Sequence, residues 1–240
     1  MKNFLEKIKV KIFADGAKKD DIFLMNSFSY INGFTTNPTL MRKAGISSYE
    51  NFSKEILVIV QKKPLSLEVF SDDFNEMEKQ ARKISSWGQN VYVKIPITNS
   101  MGKSSINLIK KLSDDGVKLN ITALFTEQQV QETISALNIN TKSIISIFAG
   151  RIADTGKDPT ILIKKTLSLI GSNKNHEVLW ASTRQIFNII EADDIGCHII
   201  TVSPDIINKF NLINYDLEKY SLDTVKQFYE DAKKSNYVIS

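Results

Sequence analysis

Eight short β-rich runs, each followed by a helical stretch, recur along the whole of this 240-residue chain. The runs are residues 10–14 (VKIFA), 33–37 (GFTTN), 65–70 (LSLEVF) and 90–95 (NVYVKI), then 117–122 (VKLNIT), 143–148 (SIISIF), 178–182 (VLWAS) and 197–202 (CHIITV). Helices are expected over 18–27, 48–61, 72–86, 101–113, 126–137, 159–170, 184–193 and 204–210, with one more over 222–235. Boundary residues agree with this spacing. Ser47 or Ser48 and Thr126 stand where helix N-caps belong, Pro159 suits a first turn, and Gly116 and Gly171 suit helix stops. Eight strand–helix units without a break in composition predict an α/β fold, a single (β/α)8 TIM barrel domain over residues 1–240 with an extra C-terminal helix. A doubly wound open sheet is the alternative. Its glycine-rich dinucleotide fingerprint is missing from the sequence, as is a phosphate-binding P-loop.

Composition narrows the class of function. Lys and Arg total 31 against 27 Asp and Glu, a formal net charge of +4, and the basic residues are interleaved with acids. No stripe of basic charge points to nucleic acid. One cysteine, Cys197, and two histidines, His176 and His198, offer no disulfide and no convincing metal site. All three read as structural. No apolar run approaches the roughly 20 residues that a bilayer span needs. The first ten residues are too interrupted by charge for a signal peptide, so a cytoplasmic protein is expected.

In a barrel of this kind, function sits where strands end and βα loops begin. Lys94 lies inside VYVKIP, an apolar strand in which an ammonium is poorly solvated. Desolvation favours a neutral amine, which attacks carbonyl carbon to form a Schiff base. The alternative is a lysine on an edge strand reaching out to water. Asp15 and Glu68 end or interrupt apolar strands and form a candidate acid/base pair. Asp15 is equally well read as a helix cap, and Glu68 as the ion-pair partner of Lys94. Arg151 and Arg184 each follow a strand and precede a helix, where two guanidinium groups, with the Ser182 hydroxyl, suit a phosphate. Surface salt bridging is the other reading for both. Thr35, Thr36 and Asn37 precede Pro38 and suit a capped turn. Asn120 and Thr122 share one face of their strand, where they hold water or satisfy each other.

Five motifs together resemble the transaldolase family, which also contains the small fructose 6-phosphate aldolases. They are GFTTNPTL (33–40), VYVKIPIT (91–98), LNITALFT (119–126), SIFAGRIADTG (146–156) and WASTR (180–184). The resemblance runs from Asp15 to Val202. It implies a (β/α)8 barrel, sugar-phosphate substrates, no metal and no organic cofactor; a homo-oligomer is expected. It assigns the Schiff base to Lys94 and the proton of the substrate C4 hydroxyl to Asp15. It assigns a catalytic water to Glu68 and Thr122, and substrate contacts to Thr35, Asn37, Asn120 and Ser146. The phosphate falls to Arg151, Ser182 and Arg184. The aldolase branch carries Gln where Glu68 stands and Tyr where Phe148 stands, so the resemblance favours transaldolase over an aldolase that releases free dihydroxyacetone. A barrel that binds sugar phosphates without catalysis is the remaining alternative.

Overall fold

The structure, a computed structural model, describes residues 2–235. Eight parallel strands close on themselves in chain order: β1 Lys11–Asp15, β2 Ile31–Thr35, β3 Leu65–Glu68, β4 Val91–Pro96, β5 Leu119–Leu124, β6 Ser143–Ile147, β7 His176–Trp180 and β8 Ile199–Val202. A short helix, α1 Lys2–Leu5, precedes them. The helices that follow the strands are α2 Lys19–Asn26, α3 Pro38–Lys43, α4 Tyr49–Val60, α5 Phe74–Ser85, α6 Ile106–Asp114 and α7 Glu127–Ala136. Then come α8 Ala149–Ala153, α9 Pro159–Ile170, α10 Phe187–Asp194, α11 Pro204–Ile207, a 3-10 turn at Phe210–Leu212 and α12 Leu217–Ser235. The open-sheet alternative is excluded by the pairing of β1 with β8.

All eight expected strands form, with ends shifted by a few residues. β2 begins earlier than expected because Ile31 and Phe34 are fully buried and pair with β1 and β3. Its expected end, Asn37, instead caps α3, accepting a hydrogen bond from the Leu40 N–H with Pro38 in the first turn. The helix expected over 101–113 starts only at Ile106, because 97–105 folds into a loop closed by a Thr98–Ser104 bridge. Two short helices, α3 and α8, sit in βα loops where the strand–helix pattern predicts none. The other cap positions agree with expectation: Ser48 caps α4, and Thr126 forms a capping box with Gln129 at α7.

Alternation along each strand sorts its side chains into two layers. One set, including Ile12, Phe34, Leu67, Val93, Ile121, Ile145, Val178 and Ile200, belongs to the large core that also holds the buried faces of the helices. The other set points into the barrel. Phe13, Tyr92, Ile144, Leu179, Ala181 and Ile199 form a separate apolar plug there. Gly33 leaves room for Phe13, since a Cβ at that position would lie 2.6 Å from the ring. Filling the barrel with side chains in this way makes it a packed core, with open space left only at the rim.

α12 buries none of its residues and exposes Leu217, Tyr220, Leu222, Val225, Phe228 and Tyr229. Among the described residues, no helix is long and apolar enough to cross a membrane.

Candidate active site

Above the apolar plug, the next inward positions are polar. Strand register puts Asp15 beside Thr35, Glu68 beside Lys94, and Lys94 beside Asn120. Burying so many polar groups on one layer is tolerated only where they satisfy one another or face a ligand.

Lys94 is 7% exposed, and its Nζ lies 2.8 Å from Glu68 Oε2. The same ammonium donates to the Thr36 carbonyl at 2.9 Å. The end of β3 is held by Tyr49, whose hydroxyl donates to the Glu68 carbonyl at 2.8 Å. Desolvation and the nearby Glu68 charge push the Tyr49 phenol well above its ordinary value, so it stays a donor. Lys94 therefore has the ion-pair partner foreseen as one reading of Glu68. The edge-strand alternative is removed, because β4 pairs on both sides.

Asp15 ends β1 inside the barrel. Burial raises its carboxyl above the ordinary value, opposed by the charge of Lys94 and by a hydrogen bond from Thr35, and reinforced by the charge of Glu68. Thr35 Oγ1 donates to Asp15 Oδ1 at 2.8 Å and lies 2.5 Å from Thr201 Oγ1. A second chain crosses the barrel: Ser146 donates to Asn120 Oδ1 at 2.6 Å, and Asn120 Nδ2 donates to Ser66 Oγ at 3.0 Å. Asn120 and Thr122 thus do not satisfy each other; Asn120 instead bonds Ser66 and Ser146, with one amide hydrogen and one oxygen lone pair left over.

Asp15, Thr35, Lys94, Asn120, Ser146 and Thr201 line a cavity of about 110 Å³ at the strand ends, whose wall also includes Asn37, Thr122, Phe148, Arg151 and Ser182. The Arg151 guanidinium lies over the Phe148 ring, 5.2 Å from its centroid, which aims the cation along the rim. Two wall segments have left-handed backbone away from glycine: Ala123 (φ 61°), at the break in β5 pairing beside Thr122, and Ser182 (φ 64°). Such conformations cost about 1–3 kcal/mol and persist where surrounding structure enforces them. At Ser182 the enforcing contact is visible. A Cβ on Gly150 would sit 1.6 Å from the Ser182 carbonyl oxygen, so only glycine lets α8 approach this loop.

The cavity gathers Asp15, Thr35, Asn37, Lys94, Asn120, Thr122, Ser146, Phe148, Arg151 and Ser182 from the expected set. Glu68 is not on its wall but pairs with Lys94, which is. Arg184 is not on the wall either. Its guanidinium pairs with Asp154 on the half-exposed outer rim. Thr201 and Ser66 were missed. Both are inward positions of their strands: Ser66 stands two residues before Glu68, and the two-residue period of IITV puts Thr201 on the same face as Ile199. Cys197 is buried, and burial pushes its thiol up to about 12, which suits an inert core residue. His176 and His198 lie at or beyond the opposite ends of β7 and β8, where His198 Nδ1 accepts from the Val178 N–H. Among the described residues, no three His, Cys, Asp or Glu side chains are grouped to hold a metal ion.

Fold and site together define a (β/α)8-barrel protein with a buried lysine, two carboxylates and an arginine at the strand ends. Residues 12–239 match the family described as Transaldolase/Fructose-6-phosphate aldolase, and the chain belongs to that family. It is 34% identical over 209 residues to a "Probable transaldolase" of Methanococcus maripaludis, covering 87% of this chain and 92% of that protein. It is 32% identical over 230 residues to a "Probable transaldolase" of Nitrosopumilus maritimus, covering 95% and 98%. Among solved structures, KGPDC from Streptococcus mutans matches with a TM-score of 0.57 at 9% identity, covering 84% of this chain and 91% of that one. The 2,3-dimethylmalate lyase structure matches with a TM-score of 0.54 at 12% identity, covering 98% and 87%. Those two similarities bear on the barrel fold alone.

Proposed function

We propose that this protein is a transaldolase, moving a dihydroxyacetone unit from a ketose phosphate such as fructose 6-phosphate or sedoheptulose 7-phosphate to an aldose phosphate through a Schiff base on Lys94. The observation that carries the reading is the buried Lys94 ammonium facing the cavity, with Glu68 at 2.8 Å and Asp15 on the same wall. A site built only to hold a sugar phosphate has no need of a buried lysine, which argues against the non-catalytic alternative.

Lys94 passes a proton to Glu68, and the free amine attacks C2 of the ketose. Water held by Glu68 and Thr122 carries protons as the carbinolamine loses its hydroxyl as water, leaving a protonated Schiff base. Asp15 takes the C4 hydroxyl proton. The C3–C4 bonding electrons move into the iminium, glyceraldehyde 3-phosphate departs, and a three-carbon enamine remains on Lys94. Burial that raises the Asp15 carboxyl suits a group that takes a proton and returns it. An acceptor aldehyde such as erythrose 4-phosphate enters, the enamine carbon attacks it, and Asp15 returns the proton to the new alkoxide. Hydrolysis of the imine frees the product and Lys94. Asn37, Asn120, Thr35 and Ser146 bind substrate hydroxyls. Arg151, Ser182 and Arg184 bind the phosphate, Arg184 after leaving Asp154.

Phe148 supports transaldolase over free aldolase action. It puts an apolar ring where a hydroxyl would be available to protonate the enamine. The exposed apolar residues of α12 support the expectation of a homo-oligomer, and cytoplasmic location and a single folding unit over 1–240 complete the reading. The test is a product assay with fructose 6-phosphate. Glyceraldehyde 3-phosphate that appears only when erythrose 4-phosphate is present supports a transaldolase. Equal release without acceptor, with free dihydroxyacetone, identifies an aldolase.

A further inference from the structure

Thr201 is the polar residue of the cavity wall for which the mechanism gives no use. It is buried on β8, 7% exposed, and no other polar side chain of β8 faces the barrel. Its hydroxyl lies 2.5 Å from Thr35 Oγ1, and Thr35 Oγ1 lies 2.8 Å from Asp15 Oδ1. A hydroxyl has a single proton to donate. An ionised Asp15 only accepts, so the Thr35 proton is committed to it. The short Thr201–Thr35 contact then requires Thr201 to be the donor. Thr183 fixes the strand at this point, its hydroxyl donating to the Thr201 carbonyl at 2.7 Å. Among the described residues, Asp15 Oδ2 has no hydrogen-bond partner and is left for substrate.

We propose that Thr201 is a positioning residue for Asp15, acting through Thr35 as the head of a directed hydrogen-bond chain Thr201→Thr35→Asp15. The proposal rests on the reading of Asp15 as the group that handles the substrate proton. The chain does two things. It fixes the carboxylate by Oδ1, so that Oδ2 faces the cavity. It also stabilises the ionised form, since each donor in a chain polarises the next. When Asp15 takes a proton the chain has reason to weaken, and when it returns the proton the chain is restored. Aliphatic replacement of either threonine therefore makes Asp15 a weaker acid.

The other charges around Asp15 are few. Lys94 faces it from β4, Glu68 from β3, and Arg151 shares the cavity from α8. On the outer side Lys18, Asp21, Lys43 and Asp205 share a shallow rim cleft with it. β2 and β8, the neighbours of β1, contribute no ionisable side chain, only the two threonines.

The test is a pH titration of the aspartate carboxyl carbons by NMR in the full-length protein, with Asp15→Asn assigning the resonance. Thr35→Val raises the Asp15 midpoint by about one pH unit, as expected for loss of a hydrogen bond to a charged group. Thr201→Val shifts it the same way by less, the double variant shifts it no further than Thr35→Val, and Thr201→Ser restores it. An unshifted midpoint in Thr201→Val overturns the chain. If Thr201→Val fails to fold, Thr201→Ala carries the same expectation. Kinetics separate the two ideas. If the midpoint moves and the acidic limb of kcat/KM moves with it, both stand. If the midpoint moves alone, the chain stands and Asp15 is not the proton acceptor of the reaction.

Discussion

The Lys94 ammonium and the Glu68 carboxylate face each other across the β3–β4 register at 2.8 Å, and the Lys94 side chain is only 9% exposed. Two charges taken from water regain their hydration energy only through close pairing, so such a pair contributes little to stability. Removing one partner is another matter. Glu68→Ala leaves the ammonium without its carboxylate and is expected to destabilise the fold by about 3 kcal/mol. Adding Lys94→Met to that variant recovers most of the loss, and urea unfolding of the single and double variants measures it. Equal destabilisation in both would show that the charge of Lys94 was not what the first variant exposed.

Asp15 gives a pH-dependent expectation of opposite sign to the usual carboxylate. Burial raises its folded value above the unfolded one, so within that window the native state binds more protons than the unfolded state. Stability then falls as pH rises through the window. Asp15→Asn removes the penalty. The variant is expected to unfold at higher temperature than the wild type at pH 7, with the gain vanishing below the unfolded carboxylate range. A gain that is constant with pH would contradict the burial argument.

The two rim arginines are expected to differ. Arg151 is on the cavity wall, whereas Arg184 must first leave Asp154. Arg151→Ala is expected to raise KM for fructose 6-phosphate about ten- to a hundredfold, the value of one or two charge-assisted hydrogen bonds, and to leave unphosphorylated ketoses little changed. Arg184→Ala raises it in the same selective way by less. Steady-state kinetics on paired substrates decide this, and an equal loss on both ketoses would remove phosphate from the role of either arginine.

Phe148→Tyr tests the choice between transfer and release. The new hydroxyl reaches into the cavity beside Arg151 and offers a proton to the enamine. Release of free dihydroxyacetone from fructose 6-phosphate without acceptor is expected to rise severalfold in a product assay. An unchanged rate would mean that this position does not set the fate of the enamine.

Much of this was legible in the sequence because a βα barrel repeats one local pattern. Period-two alternation assigns inward positions, and inward polar residues in apolar strands stand out, as Lys94, Glu68 and Asn120 do. Asn37 shows how two readings coexist: it caps α3 and also lines the cavity. What escaped depends on contacts between distant segments. Thr201 acquires meaning only from its neighbour Thr35, far away in the chain and brought close by barrel closure. The pairing of Arg184 with Asp154 depends on how α8 meets the β7 loop, and that approach is permitted by Gly150 alone. No local propensity encodes either contact.

The central claim is the covalent role of Lys94, and borohydride reduction with fructose 6-phosphate followed by peptide mass analysis tests it most directly. A three-carbon adduct is expected on the peptide containing Lys94, and none in Lys94→Ala. An adduct on another lysine, or trapping and turnover that survive in Lys94→Ala, would contradict it.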